Sequence, residues 1–115
     1  MKYLVMIYAS EAEEAKIVPE EMGKLMQAYH AYSEALVKAG AMQGSERLRP
    51  IADATSVRVR NGKTEVLNGP YAETREQLGG YYLIDVPDLD SALSWAARCP
   101  SSAYGTIEVR PIWAM

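Results

Sequence analysis

The chain has 115 residues, 49% of them hydrophobic and 23% charged, which are the proportions of one globular domain able to bury a core without a metal or disulfide staple. Twelve Lys and Arg against fifteen Asp and Glu leave a net charge of −3, which argues against nucleic acid or an anionic membrane as partner, since either wants clustered positive charge. A single cysteine, Cys99, and a single histidine, His30, exclude an internal disulfide and argue against a metal site of Cys and His ligands, so no metal and no cofactor is expected.

After Met1 and Lys2 come six residues that are all apolar or Tyr. The run is too short to span a membrane and has no small-residue cleavage site, so the cytoplasm is the expected compartment. Lys2 to Tyr8 reads as a strand that is apolar on both faces, Tyr3, Val5 and Ile7 on one and Leu4, Met6 and Tyr8 on the other. Pro19 opens a helix, with Glu20 and Glu21 at its positive end. Met22, Leu25, Met26, Tyr29, Tyr32, Leu36 and Val37 make one apolar stripe along it, and Gly40 stops it.

A short strand is expected near Met42 to Arg47, then a loop through Pro50. Thr55 to Arg60 and Lys63 to Leu67 flank Asn61-Gly62, the preferred two-residue hairpin turn, with Val57 and Val59 expected to point inward. A turn-rich loop, 68–73, and a polar run to Gln77 lead to a strand from Gly79 to Val86. Asp88 is placed to cap a second helix whose inner face carries Leu89, Ala92, Leu93, Ala96 and Cys99, and Pro100 ends it. Tyr104 to Ile112 closes the chain as a strand with Thr106, Glu108 and Arg110 opposite Ile107 and Val109.

The order is that of two βαβ halves in one domain, residues 1–115. It predicts an α+β fold of the ferredoxin-like, split-βαβ plan, an antiparallel sheet with both helices on one face. Two helices cover one face only, whereas the first strand and Tyr81 to Leu83 are apolar on both. A soluble monomer rarely leaves such a patch wet, so a homodimer through the open sheet face is expected, unless residues 9–18 or the hairpin fold over it.

The segment Asn68-Gly69-Pro70-Tyr71-Ala72-Glu73-Thr74-Arg75-Glu76-Gln77-Leu78-Gly79-Gly80-Tyr81-Tyr82 resembles the signature of the YCII-related proteins of the DGPF subgroup. The opening strand, Asp88-Leu89-Asp90 leading to Trp95, and Glu108 to Trp113 are similar to the same family. That resemblance implies a ferredoxin-like fold, homodimers of the dimeric α+β barrel kind and a bacterial source, but no settled activity. Relatives include lactone isomerases, and genes of the subgroup often neighbour those for extracytoplasmic-function sigma factors, which implies a regulatory alternative. Asn68 and Tyr71 stand where the subgroup has Asp and Phe. Better-studied relatives carry a His in the first helix and an Asp just before a Pro after the second. Here His30 or Tyr29 fits the first position, and the residue before Pro100 is Cys99.

His30 and Glu73 are the candidate proton carriers. Imidazole is the side chain best suited to general acid–base work near neutral pH, and a loop carboxylate becomes a base where apolar neighbours raise its pKa. The alternatives are a helix-surface histidine and a solvated turn carboxylate. Tyr29, Asn68, Pro70, Tyr71 and Tyr81 are candidate ligand-binding residues, with packing and loop shaping as the competing roles. Cys99, at a helix C-terminus, reads as a buried structural thiol. The Arg47/Arg49 and Arg58/Arg60 pairs read as solvated faces. Three functions stay open: proton-transfer chemistry on a small carbonyl-bearing or cyclic metabolite, a non-catalytic module that binds a metabolite or a sigma factor, and a bare dimeric scaffold.

Overall fold

The computed structural model describes residues 1–114. Strands β1 (Lys2–Ala9), β2 (Met42–Arg47), β3 (Thr55–Arg60), β4 (Lys63–Asn68), β5 (Gln77–Asp85) and β6 (Thr106–Pro111) alternate with helices α1 (Glu11–Glu14), α2 (Pro19–Lys38) and α3 (Leu89–Arg98). The main sheet has the order β2-β5-β1-β6, and every neighbouring pair is antiparallel. In each βαβ half a strand of the other half lies between the two it connects. This is the ferredoxin-like plan that the element order predicts.

Local chemistry sets most of the boundaries. Pro19 is at the first position of α2, and Gly40, just past its end, takes a φ of 72°. The Asp88 carboxylate accepts a hydrogen bond from the Ser91 amide at 2.8 Å, the cap that starts α3. Asn61 and Gly62 both have positive φ, 52° and 75°, as a tight hairpin turn between β3 and β4 requires.

The core lies between one face of the sheet and the two long helices. Tyr3, Val5 and Ile7 of β1 and Tyr82 and Ile84 of β5 meet Tyr32 and Leu36 of α2 and Ala92, Ala96 and Cys99 beside α3. Tyr32 is T-stacked on Tyr82 at 5.2 Å between ring centroids, and its hydroxyl donates to the Trp95 carbonyl at 2.8 Å. The opposite face carries Leu4, Met6, Tyr8, Tyr81 and Leu83, all half-buried with no helix over them.

Three expectations need correction. Val57 and Val59 do not point into the core. They are 66% and 58% exposed, because β3 and β4 form a two-stranded sheet of their own. The radius of gyration, 16.2 Å against about 13 Å for a compact chain near this length, fits a hairpin standing clear of the body. Leu89 and Leu93 flank the inner face of α3 without being covered, and its buried residues are Ala92 and Ala96. The segment before Pro19, to which the sequence analysis assigns no element, contains a short helix, α1.

Candidate functional site

A cavity of about 870 Å³ opens at one end of the helix-covered face. Ile7 and Ala9 of β1, Met22, Leu25, Met26 and Tyr29 of α2, and Tyr82 give it an apolar wall, while Glu11, Glu14, Arg47, Gln77 and Ser101 bring polar groups. Size and lining are those of a small-molecule site. A second hollow, about 740 Å³, lies between α2, at Lys24 and Ala28, and the end of α3 with the turn after it, at Arg98, Pro100 and Tyr104.

Helix α1 builds one rim. The Ser10 hydroxyl accepts from the Glu13 amide at 3.2 Å, so the four-residue helix starts on its own cap. The Glu11 amide donates to the Gln77 side chain at 2.9 Å, and its carboxylate accepts from the Ile51 amide at 3.1 Å. These bonds tie the rim to β5 and to the turn at 51–53. The floor is bare backbone. Gly80 is buried, and a Cβ there would sit 2.8 Å from the Glu46 carbonyl oxygen, so only glycine lets β2 and β5 approach this closely.

At the inner end the Tyr29 hydroxyl is hydrogen-bonded to the Ser101 hydroxyl and lies 3.6 Å from the Cys99 sulfur. Ser101 also contacts the Tyr104 hydroxyl at 3.2 Å, and Tyr104 donates to the Glu14 carboxylate at 3.3 Å. A polar chain therefore runs from α2 through the turn after α3 to α1. Burial pushes the Tyr29 phenol well above its usual range, against a smaller downward pull from its bond to Ser101. Burial likewise raises the Cys99 thiol and the Tyr104 phenol. At neutral pH the cluster is a set of protonated donors, with neither a thiolate nor a phenolate.

Of the residues singled out from sequence, Tyr29 and Tyr81 line the cavity. Tyr82 faces the helices, so strand alternation turns the Tyr81 ring to the open face, opposite Met6 and Glu46. His30 is on the outer side of α2, its side chain 78% exposed and 3.1 Å from Glu34. It is therefore Tyr29, one residue earlier, that meets Cys99. Asn68, Pro70, Tyr71 and Glu73 lie outside the lining, and Tyr71 is 89% exposed. The loop holding them is shaped by Gly69, whose φ is 122° and whose amide and carbonyl bond Ala54 and Ser56.

Sequence reasoning missed Glu11, Glu14, Arg47 and Ser101. The Ser10-x-x-Glu13 spacing, a capping-box pattern, was the available signal for α1. Ser101 carried none, since its importance comes from a partner 72 residues away. Among the described residues no three potential metal ligands cluster, and no helix is long and apolar enough to cross a membrane.

A family model described as "YCII-related domain" matches residues 1–115. An uncharacterized protein of Rhizobium meliloti (strain 1021) is 38% identical over 114 residues, covering 97% of this chain and 92% of that protein. The chain belongs to the YCII-related family.

Proposed function

From that membership and the cavity, we propose that this protein binds a small, partly apolar metabolite, its polar end held by Tyr29 and Ser101. The observation that carries the reading is the cavity itself, about 870 Å³, with hydroxyls converging at its inner end. A neutral phenol in a desolvated place is a strong hydrogen-bond donor toward a carbonyl oxygen and would polarise it. Isomerase- or lyase-type proton transfer needs a base as well. Glu14, joined to the donor cluster through Tyr104, is the cavity carboxylate in that relation. One observation favours the second reading, binding without turnover by a regulatory module: the inner end itself presents only protonated groups.

The proposal includes a cytoplasmic homodimer paired through the open sheet face, supported by the uncovered Leu4, Met6, Tyr8 and Leu83. Glu108 and Arg110 flank that strip on β6, opposite Met6 and Leu4, and give a two-fold partner charges to pair with. The 68–82 segment supports placing the chain in the DGPF subgroup, and its sigma-factor association goes with the regulatory reading.

Native mass spectrometry of freshly purified protein tests binding and pairing together. The expected species is twice 12.7 kDa, retaining a small adduct that Leu25→Trp, by filling the cavity, removes. A 12.7 kDa species would end the dimer proposal. An adduct unaffected by Leu25→Trp would end the cavity assignment. Incubating the released compound with fresh protein then separates the two readings by whether it is converted.

A further inference from the structure

Arg47 gives the cavity a charge preference. It pairs with Gly80 and Ser45 pairs with Tyr82, so Arg47 projects from β2 on the face that Tyr82 shares with the helices. Its guanidinium reaches toward α2, 3.9 Å from the Met26 sulfur, across a floor that Gly80 leaves without a side chain. A thioether is a weak acceptor and leaves the guanidinium donors free. Arg47 and Arg49 are both exposed, as the reading of a solvated face has them, but their partners differ. Arg49 is 2.9 Å from Asp53, whereas among the described residues Arg47 has no carboxylate within ion-pair distance. Of the carboxylates along the cavity, Glu11 is on the Ile51 amide and Glu14 on Tyr104, while Glu46, which pairs with Tyr81, alternates to the opposite face of the sheet from Arg47.

We infer that Arg47 at the mouth and Tyr29 with Ser101 at the inner end select a small organic monocarboxylate. The carboxylate sits on Arg47, the apolar body lies against Met22 and Leu25, and a second oxygen, carbonyl or hydroxyl, meets the Tyr29 cluster. A planar guanidinium matches a carboxylate in two parallel hydrogen bonds. A phosphate monoester fits less well, because the lining holds three carboxylates, Glu11, Glu14 and Glu46, against Arg47 and an Arg49 already paired with Asp53. The inference rests on the cavity reading given above and names its ligand class.

Two probes that differ only in the charged group test it: 4-oxo-4-phenylbutanoate, whose ketone is separated from the carboxylate, and the neutral ketone 1-phenylbutan-1-one. Each is titrated by calorimetry into wild-type protein and Arg47→Gln, while amide NMR shifts of Leu25, Gly80 and Ser101 report occupancy. The oxo acid is expected to bind wild type at least about tenfold more tightly than the ketone, the size of one charge-assisted contact. Arg47→Gln should erase that difference and leave ketone affinity unchanged. Equal affinities, or an oxo acid indifferent to Arg47→Gln, with the cavity amides shifting, would overturn the role of Arg47 and leave the cavity reading intact. If neither probe shifts those amides, the cavity reading falls and this inference with it. Tighter binding of phenyl phosphate than of the oxo acid would overturn the carboxylate class.

Discussion

Strand β1 and the β3–β4 hairpin both carry rows of β-branched residues and meet different fates. In β1, Val5 is fully buried, whereas Val57 of β3 is 66% exposed. Both segments are strands for the same local reason, since β-branched residues favour extended backbone. Burial depends instead on neighbours. β1 sits between β5 and β6 under two helices, while β3 has β4 alone. Pattern predicts the strand and leaves open what covers it.

The widest gap between the two regions should appear in core truncation. Leu36→Ala removes a side chain with no solvent exposure from the centre of the body and should cost about 2–5 kcal/mol. Thermal denaturation would show that as a drop of roughly 10 °C or more for a domain of this length. A drop of only a degree or two would mean that the body is packed as loosely as the hairpin.

Alkaline pH should also act on the body. Burial raises the Tyr29, Tyr32 and Tyr82 phenols above the usual value of 10.0. A group whose pKa is higher when folded contributes stability that is full below its unfolded pKa and lost as pH rises above it. Urea midpoints should therefore be flat through neutral pH and decline above about pH 10, with a smaller decline in Tyr32→Phe. A midpoint that holds steady to pH 11 would show that these phenols are not desolvated.

The hairpin should respond least. Val57→Thr keeps the shape and β-branching of an exposed residue and is expected to change stability by less than about 0.5 kcal/mol. Measured at low and high protein concentration, it sharpens the comparison further. A cost that grows with concentration would place these valines in the contact between copies, and a cost absent at both leaves the hairpin a free arm.

Much of the architecture was legible locally. Pro19 and Gly40 bounded α2, Asn61-Gly62 marked the hairpin, Asp88 capped α3, and the alternation in β6 emerged as read. Each of these signals acts within a few residues of itself. The site was legible only in fragments. Tyr29 and Cys99 each stood out, yet nothing in the chain between them says that they touch. The family resemblance left Tyr29 and His30 open, and the roughly 100° turn per helical residue decided between them. One faces Cys99 and the other solvent.

The sequence by itself determined the strands, the two long helices and their order, and hence the split-βαβ plan, because turns, caps and periodicity are short-range. Only the tertiary structure decided which apolar faces are buried, that Arg47 rather than Arg49 is left without an ionic partner, and that hydroxyls from α2 and from the turn after α3 close one end of a cavity. Those outcomes depend on which strands become neighbours in the sheet and on how α2 packs against the turn after α3, which together bring residues some seventy positions apart into contact.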